Sequence, residues 1–499
     1  MRLNDDELHI ILTFLRGQDL INTMCTCRFL YEMGLPILLG SPIQLERLGK
    51  IQQFTRFVLR DAAKHGSQLR DITLGTSRDF WDPRLSSIFE ELQLHEVLDH
   101  AVNIRAIRFN ERLDISTDPD PICSLVRKVF TLPTLKRLSI HFSIYGRDNA
   151  SAIQSVASSL ENARCSLTHL KLDDNNPRYP TGWFKAIQHL CPTLISLTVG
   201  VLPVETLTET FPRLTTLKIR TMRFPHFIPS SDIFRHFPRL RRLSIYEIDT
   251  NNSISSLRSV DHNDWQRRNT HDAKEKFIWP PLKHIKMKLN SLSSLGIECP
   301  KGVEVLDLSD SLNRLMGARD GILADPLASE RQAILGCRPE ALKLPCVLDA
   351  DVCDLLSEIL TALPLLTHVE YDMRLMPSER EPCLVLDLLD RLVAIHRKAH
   401  CEIVRINLTT YGPFHRRSPL YIFFDAEKFA QRFITTCPTL RRVFISWKPS
   451  IDPDSDINRV INVETYLKNA KSSSGTRYGR ELEPKAYERL NVFEESSFM

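Results

Sequence analysis

A few residues in this chain have types that could do chemistry. His95-Glu96 followed by His100 looks at first like a helical zinc-protease signature, but the two histidines are five residues apart, not four, and fall on different helix faces. Cys25 and Cys27 are one residue apart and would diverge by roughly 200° on a helix; no second Cys/His pair completes a zinc site. Asp173-Asp174 and Asp452/Asp454/Asp456 read as loop acids, the latter without the central Gly and terminal Glu of a calcium loop. There is no Gly-rich loop ending in Lys-Ser/Thr and no Gly-x-Ser-x-Gly elbow. The expectation is a non-catalytic protein with no metal and no cofactor.

The elements that would position any site are repetitive. The pattern apolar-x-x-apolar-x-apolar occurs in twelve copies, beginning at Leu69, Ile104, Leu135, Leu167, Leu194, Leu214, Leu240, Leu282, Val303, Leu366, Ile403 and Leu440, with a degraded thirteenth at Leu342/Leu344. Seven copies follow a bulky residue and a proline: Leu132-Pro133, Cys191-Pro192, Phe211-Pro212, Phe237-Pro238, Trp279-Pro280, Leu363-Pro364 and Cys437-Pro438. Proline ends the preceding helix and disfavours the α region for the residue before it. The last two apolar residues of each copy alternate along a short strand and point inward. Helical spacing precedes several copies, over 151–163, 184–191, 352–363 and 429–437, and more weakly over 384–396. Each copy is therefore a helix–turn–strand unit. An ordinary α/β domain with several similar strand starts is the competing reading.

These copies resemble the leucine-rich repeat, nearest to the subclass whose helix ends in Cys-Pro. The Asn or Cys usual after the strand is mostly missing, Asn175 and Asn290 excepted, and copies start 20 to 63 residues apart. The resemblance implies an α/β fold: an irregular horseshoe solenoid over 46–448, parallel strands inside and helices outside, with a polar insertion near 247–278. Residues 449–499 read as a polar cap or tail, with a short helix near 486–492.

Residues 1–45 read as a small all-α head. Leu8, Ile11, Leu12 and Leu15 form one helical stripe, with Leu3 leading in. Asn4 and Glu7 form a capping box, Gly17 breaks the helix, and Asp19 caps a second one carrying Leu20, Met24, Cys27 and Tyr31. Leu3-x-Asp5-Asp6-x-Leu8-x-x-Ile11-Leu12-x-x-Leu15, Asp19-Leu20 and Cys27-Arg28-x-Leu30-Tyr31 together resemble an F-box. The family usually has Pro after its first Leu, where this chain has Asn4. The resemblance implies a substrate receptor of an SCF-type ubiquitin ligase. Leu3, Leu8, Ile11, Leu12, Leu15 and Leu20 would dock a Skp-type adaptor and through it cullin, while the repeats hold a target protein. The alternatives are helices that only cap the solenoid, and a repeat scaffold with no link to ubiquitination.

The target surface is expected where strand side chains point away from the core. Successive copies present Thr216/Lys218/Arg220, Arg242/Ser244/Tyr246 and His284/Lys286/Lys288 there, a basic face around a tyrosine. Lys218, Arg220, Arg242, Tyr246, His284, Lys286 and Lys288 would suit an acidic or phosphorylated segment; solvated charge is the alternative. A later copy, with Glu370 and Asp372, is acidic.

Composition bounds the rest. The chain has 499 residues, 65 Lys+Arg against 61 Asp+Glu, and 42% hydrophobic residues. A net charge of +4 gives no bulk reason for a nucleic-acid or membrane partner. Asp5, Asp6 and Glu7 stand where a signal peptide would be basic and then apolar. Twelve scattered cysteines read as reduced thiols, and the sequons at Asn149, Asn251 and Asn407 as chance matches. The expected location is cytoplasmic, nuclear or both.

Overall fold

The computed structural model describes residues 4–46, 48–75, 93–114, 119–143, 150–174, 185–203, 207–223, 234–249, 279–309, 328–346, 350–375, 383–410, 426–448, 461–466 and 475–478. The chain divides into two compact units, residues 1–225 with 235–239, and residues 226–234 with 240–499. Among the described residues no helix is long and apolar enough to cross a membrane.

The first unit opens with three helices, α1 (Asp5–Phe14), α2 (Gly17–Met24) and α3 (Arg28–Gly40). It continues as β1 (Ile43–Leu45), α4 (Leu48–Leu59), α5 (Ala62–Gly66), β2 (Asp71–Leu74), α6 (Leu94–His100), β3 (Ala106–Asp114), α7 (Pro119–Phe130) and β4 (Arg137–Ser143). Then come α8 (Ala150–Glu161), β5 (His169–Asp174), β6 (Ser196–Pro203) and β7 (Thr216–Arg223). Each strand pairs in parallel with the next in chain order. Parallel crossovers are right-handed, so strands added in one direction place every connecting helix on the same side. On the opposite side of the sheet, the open face, Arg108, Ser139, Lys171, Thr198 and Lys218 are exposed or half-buried, while Asp71 and Thr73 on β2 are buried.

The second unit repeats the scheme through β8 (Arg242–Asp249), β9 (His284–Met287), α9 (Leu289–Leu295), β10 (Val303–Asp307), α10 (Ala328–Cys337), β11 (Pro339–Cys346) and α11 (Ala350–Ala362). It goes on with β12 (His368–Leu375), α12 (Cys383–His396), β13 (Ile403–Thr410), α13 (Ala426–Thr436) and β14 (Arg442–Lys448). Strands β8 to β14 are parallel neighbours in chain order. The direction then reverses: β15 (Ile461–Tyr466) and β16 (Gly475–Tyr478) are antiparallel.

Every apolar triplet, the degraded one included, contributes a strand, and its apolar positions are buried with one exception, Ile403. Pairing explains it. Val369 lies opposite Val404 and Tyr371 opposite Ile406, so the true triplet is Cys401/Val404/Ile406, two residues before the predicted one. Cys401 and Val404 are both buried, the thiol serving as a small apolar filler, while Ile403 lies on the other side of the strand. The bulky residues before proline act as predicted: Leu132, Cys191, Phe211, Phe237, Trp279, Leu363 and Cys437 are all buried. Burial pushes the Cys191 thiol up to about 12 and the Cys437 thiol to about 11, so both stay protonated.

Four predicted helices appear as α8, α11, α12 and α13. Within the stretch 184–191 the described residues are α-helical at 185–186 and form a 3-10 turn at Gln188–Leu190. Strand β1 and the tail strands β15 and β16 were not expected. The rest of the 247–278 insertion beyond Asp249, and the helix expected near 486–492, lie outside the described residues.

Candidate interaction surfaces

The head is built around its caps and one close approach. Asn4 accepts from the Glu7 backbone N–H at 2.8 Å, and the Glu7 carboxylate accepts from the Asn4 N–H at 2.9 Å. This reciprocal box starts α1 beside Asp5, Asp6 and Glu7, whose charges suit a helix N-terminus. The second helix departs from expectation. It begins at Gly17, with φ +51°, and Asp19 sits inside its first turn instead of capping it. A third helix, α3, packs against both others. A Cβ on Gly34 would lie 2.5 Å from Met24 Cγ, so α2 and α3 meet where only glycine fits.

The stripe predicted to dock an adaptor divides. Leu12 and Leu20 are buried at 1% and 2% exposure and form the head's own core with Met24, Leu35 and Leu39; they hold the helices together and are not on offer. Leu8 and Leu15 are half-buried, Ile11 is 43% exposed, and Leu3 lies outside the described residues. Phe14 at 79% and Ile10 at 55%, which the spacing did not single out, are more open, and Ile21, Phe29 and Tyr31 are exposed as well. Among the described residues nine large apolar side chains are exposed, and six of them belong to this head. On α1, Ile10, Ile11 and Phe14 fall at i, i+1 and i+4 and share one side of the helix. Isolated exposed apolar residues are ordinary, but a crowd of them marks an interaction surface.

The predicted basic face is answered by acids that the linear sequence keeps far away. In the first unit Arg220 lies 3.9 Å from Asp173, which also takes His141 Nδ1 at 3.2 Å. Burial alone would raise the Asp173 carboxyl, but His141, Arg220 and Lys171 hold it below the usual carboxylate range. Lys218 is half-buried on the same strand. In the second unit Lys286 pairs with Asp307 at 3.5 Å and His284 with Glu304 at 3.5 Å, while Lys288 lies 4.6 Å over the Tyr246 ring. Arg242 is half-buried beside them in the register, opposite His284.

Further along the second unit Lys343 bridges Glu370 at 2.8 Å and Asp372 at 3.1 Å. Asn407 Nδ2 donates to the same two carboxylates at 2.7 and 2.8 Å, so the nitrogen that a glycan would occupy is engaged. Burial would lower the Lys343 ammonium's pKa, but Glu370 and Asp372 outweigh it and hold it well above the ordinary lysine value. Lys343, Asn407, Glu370 and Asp372 thus form one charged network, in which Glu370 Oε2 alone is buried without a hydrogen bond.

Neither Cys25 nor Cys27 is buried, and His100 is exposed at the end of α6. Among the described residues no three His, Cys, Asp or Glu side chains are grouped so as to hold a metal ion; Asp452, Asp454 and Asp456 lie outside those residues. No protein-family model matches the chain, and neither does any curated protein.

Proposed function

We propose that this chain is the substrate-recognition subunit of an SCF-type E3 ubiquitin ligase. Its head acts as an F-box that docks a Skp-type adaptor and through it cullin, and its leucine-rich-repeat solenoid holds the target protein. The observation that supports this reading is the concentration of exposed apolar side chains on a capped three-helix head whose residues resemble that motif. In this role the chain lowers no chemical barrier with its own side chains. It raises the effective concentration of a target lysine beside a charged ubiquitin carrier, turning an encounter into a near-intramolecular transfer.

The test is capture of a Skp-type adaptor by the full chain, wild type against Ile10→Asp/Ile11→Asp/Phe14→Asp. Each large apolar side chain buried at an interface contributes about 1.5–3 kcal/mol, so losing three should weaken capture by more than roughly a hundredfold. The repeats should stay folded by circular dichroism, because none of the three residues is buried. A folded wild-type chain that captures no adaptor overturns the reading and leaves a repeat scaffold unconnected to ubiquitination.

A further inference from the structure

The open face of the first unit carries a charge ladder that the linear sequence does not display. Register places Thr73 opposite Arg108, Arg108 opposite Ser139, Ser139 opposite Lys171, Lys171 opposite Thr198 and Thr198 opposite Lys218. One row across six strands thus alternates a small hydroxyl with a cation. Adjacent strands are about 4.8 Å apart, so successive cations recur every ~9.6 Å along the row.

The rows on either side add Arg137 and Arg220 against Asp71 and Asp173. Asp71 takes Arg137 at 3.2 Å and Arg108 at 4.0 Å. Arg108, Arg137 and Arg220 stay nearly half exposed on this part of the face. The second unit's face differs, since there Lys286 and Lys343 meet Asp307, Glu370 and Asp372.

We infer that the first unit's open face binds an acidic polypeptide segment in the polyproline II conformation, laid across the strands, with an acidic side chain at every third residue over Arg108, Lys171 and Lys218. The periods match. A polyproline II helix has three residues per turn and rises about 3.1 Å per residue, so residues i, i+3 and i+6 lie on one side ~9.3 Å apart. A β-strand ligand would turn every second acid away. The hydroxyls of Ser139 and Thr198, which lie between the cations, can donate to the ligand's backbone carbonyls, which polyproline II leaves without internal partners. Carboxylates and phosphoserines share the required chemistry. Identifying the segment as part of a ubiquitination target rests on the receptor reading above; the spacing rule does not.

Fluorescence anisotropy on the full chain tests this with labelled nine-residue peptides bearing Glu at every third position, phosphoserine at the same positions, or the same three Glu residues in succession. Spaced peptides should bind at least several-fold tighter than the contiguous one. Arg108→Gln/Lys171→Gln/Lys218→Gln should reduce their binding about tenfold, on the scale of three exposed charge pairs, and Lys171→Arg/Lys218→Arg should retain it. Unchanged melting and adaptor capture by the Gln variant show that its fold is intact. Equal binding of spaced and contiguous peptides, binding that survives the triple substitution, or an equal response to single-stranded nucleic acid overturns the inference. Wild-type adaptor capture beside any of those results leaves the receptor reading standing; spaced-peptide binding without adaptor capture does the reverse.

Discussion

His396, at the end of α12, has 1% of its surface exposed and is held by Tyr371 Oη at 2.7 Å from Nε2 and Cys401 Sγ at 2.8 Å from Nδ1. The rings of Tyr371 and Phe433 close around it edge-on. A neutral imidazole satisfies both contacts with one donor and one acceptor nitrogen, whereas an imidazolium in this apolar setting would lose its hydration. Burial accordingly pushes its pKa down to about 3 from the ordinary 6.5. Because the folded value is the lower one, the stability it contributes is complete above the unfolded pKa and drains away as pH falls from there towards about 3. Between about pH 7.5 and 5.0 the unfolded state gains a proton that the folded state refuses, a loss of about 2 kcal/mol at 1.36 kcal/mol per unit. Urea unfolding of wild type and His396→Phe at both pH values isolates this share, since all other groups are common to the two proteins. The variant should start lower at the higher pH, by about 1–3 kcal/mol for the orphaned Tyr371 hydroxyl, and then lose about 2 kcal/mol less on acidification. Parallel pH dependences would mean that His396 titrates in the folded state, and the burial reasoning would be wrong.

Gly34→Ala should destabilise the head by about 1–3 kcal/mol through the clash with Met24, seen as weakened adaptor capture with the repeat signal in far-ultraviolet dichroism unchanged. Lys343→Met should cost about 3–5 kcal/mol in urea unfolding because it strands the buried Glu370 beside Asp372; adding Glu370→Gln should recover part of that loss, and no recovery would refute the pairing argument. Asn4→Ala should cost about 1 kcal/mol of α1 stability, read as faster amide exchange over the first turn and nowhere in the second unit.

The strands were readable because each carries apolar residues two apart, and seven of them also a proline stop behind a buried anchor. The register slip at Ile403 shows the limit of that rule. Isoleucine outranks cysteine on any apolar scale, so only the neighbouring strand reveals that Cys401 is the inward residue. Strand β1 escaped notice because three residues carry no periodicity. In the head, the Asn4–Glu7 box was legible as a spacing of three, but burial was not: Leu12 and Ile11 are equal in composition, and α3 decides which one is covered. The acids that face the basic surface were not legible either, for a physical reason. Asp173 lies 47 positions before Arg220, and Asp307 lies 21 after Lys286, distances over which a sequence shows charge but not charge partnership. The Arg108–Lys171–Lys218 ladder likewise exists only once strands are paired.

The reversal at β15 has a bearing on assembly. A sheet that accepts one parallel strand after another has no intrinsic terminus, and an uncovered β14 would offer a second copy of the chain the same edge it offers its own continuation. Head-to-tail joining of that kind does not close on itself and grows into a filament. The antiparallel pair β15–β16 occupies β14's edge with a strand of opposite polarity and moves the outer rim to the four residues of β16. It works as a chain terminator does in polymer chemistry. Deleting residues from 461 onward should make light scattering rise with concentration more steeply than it does for the full chain.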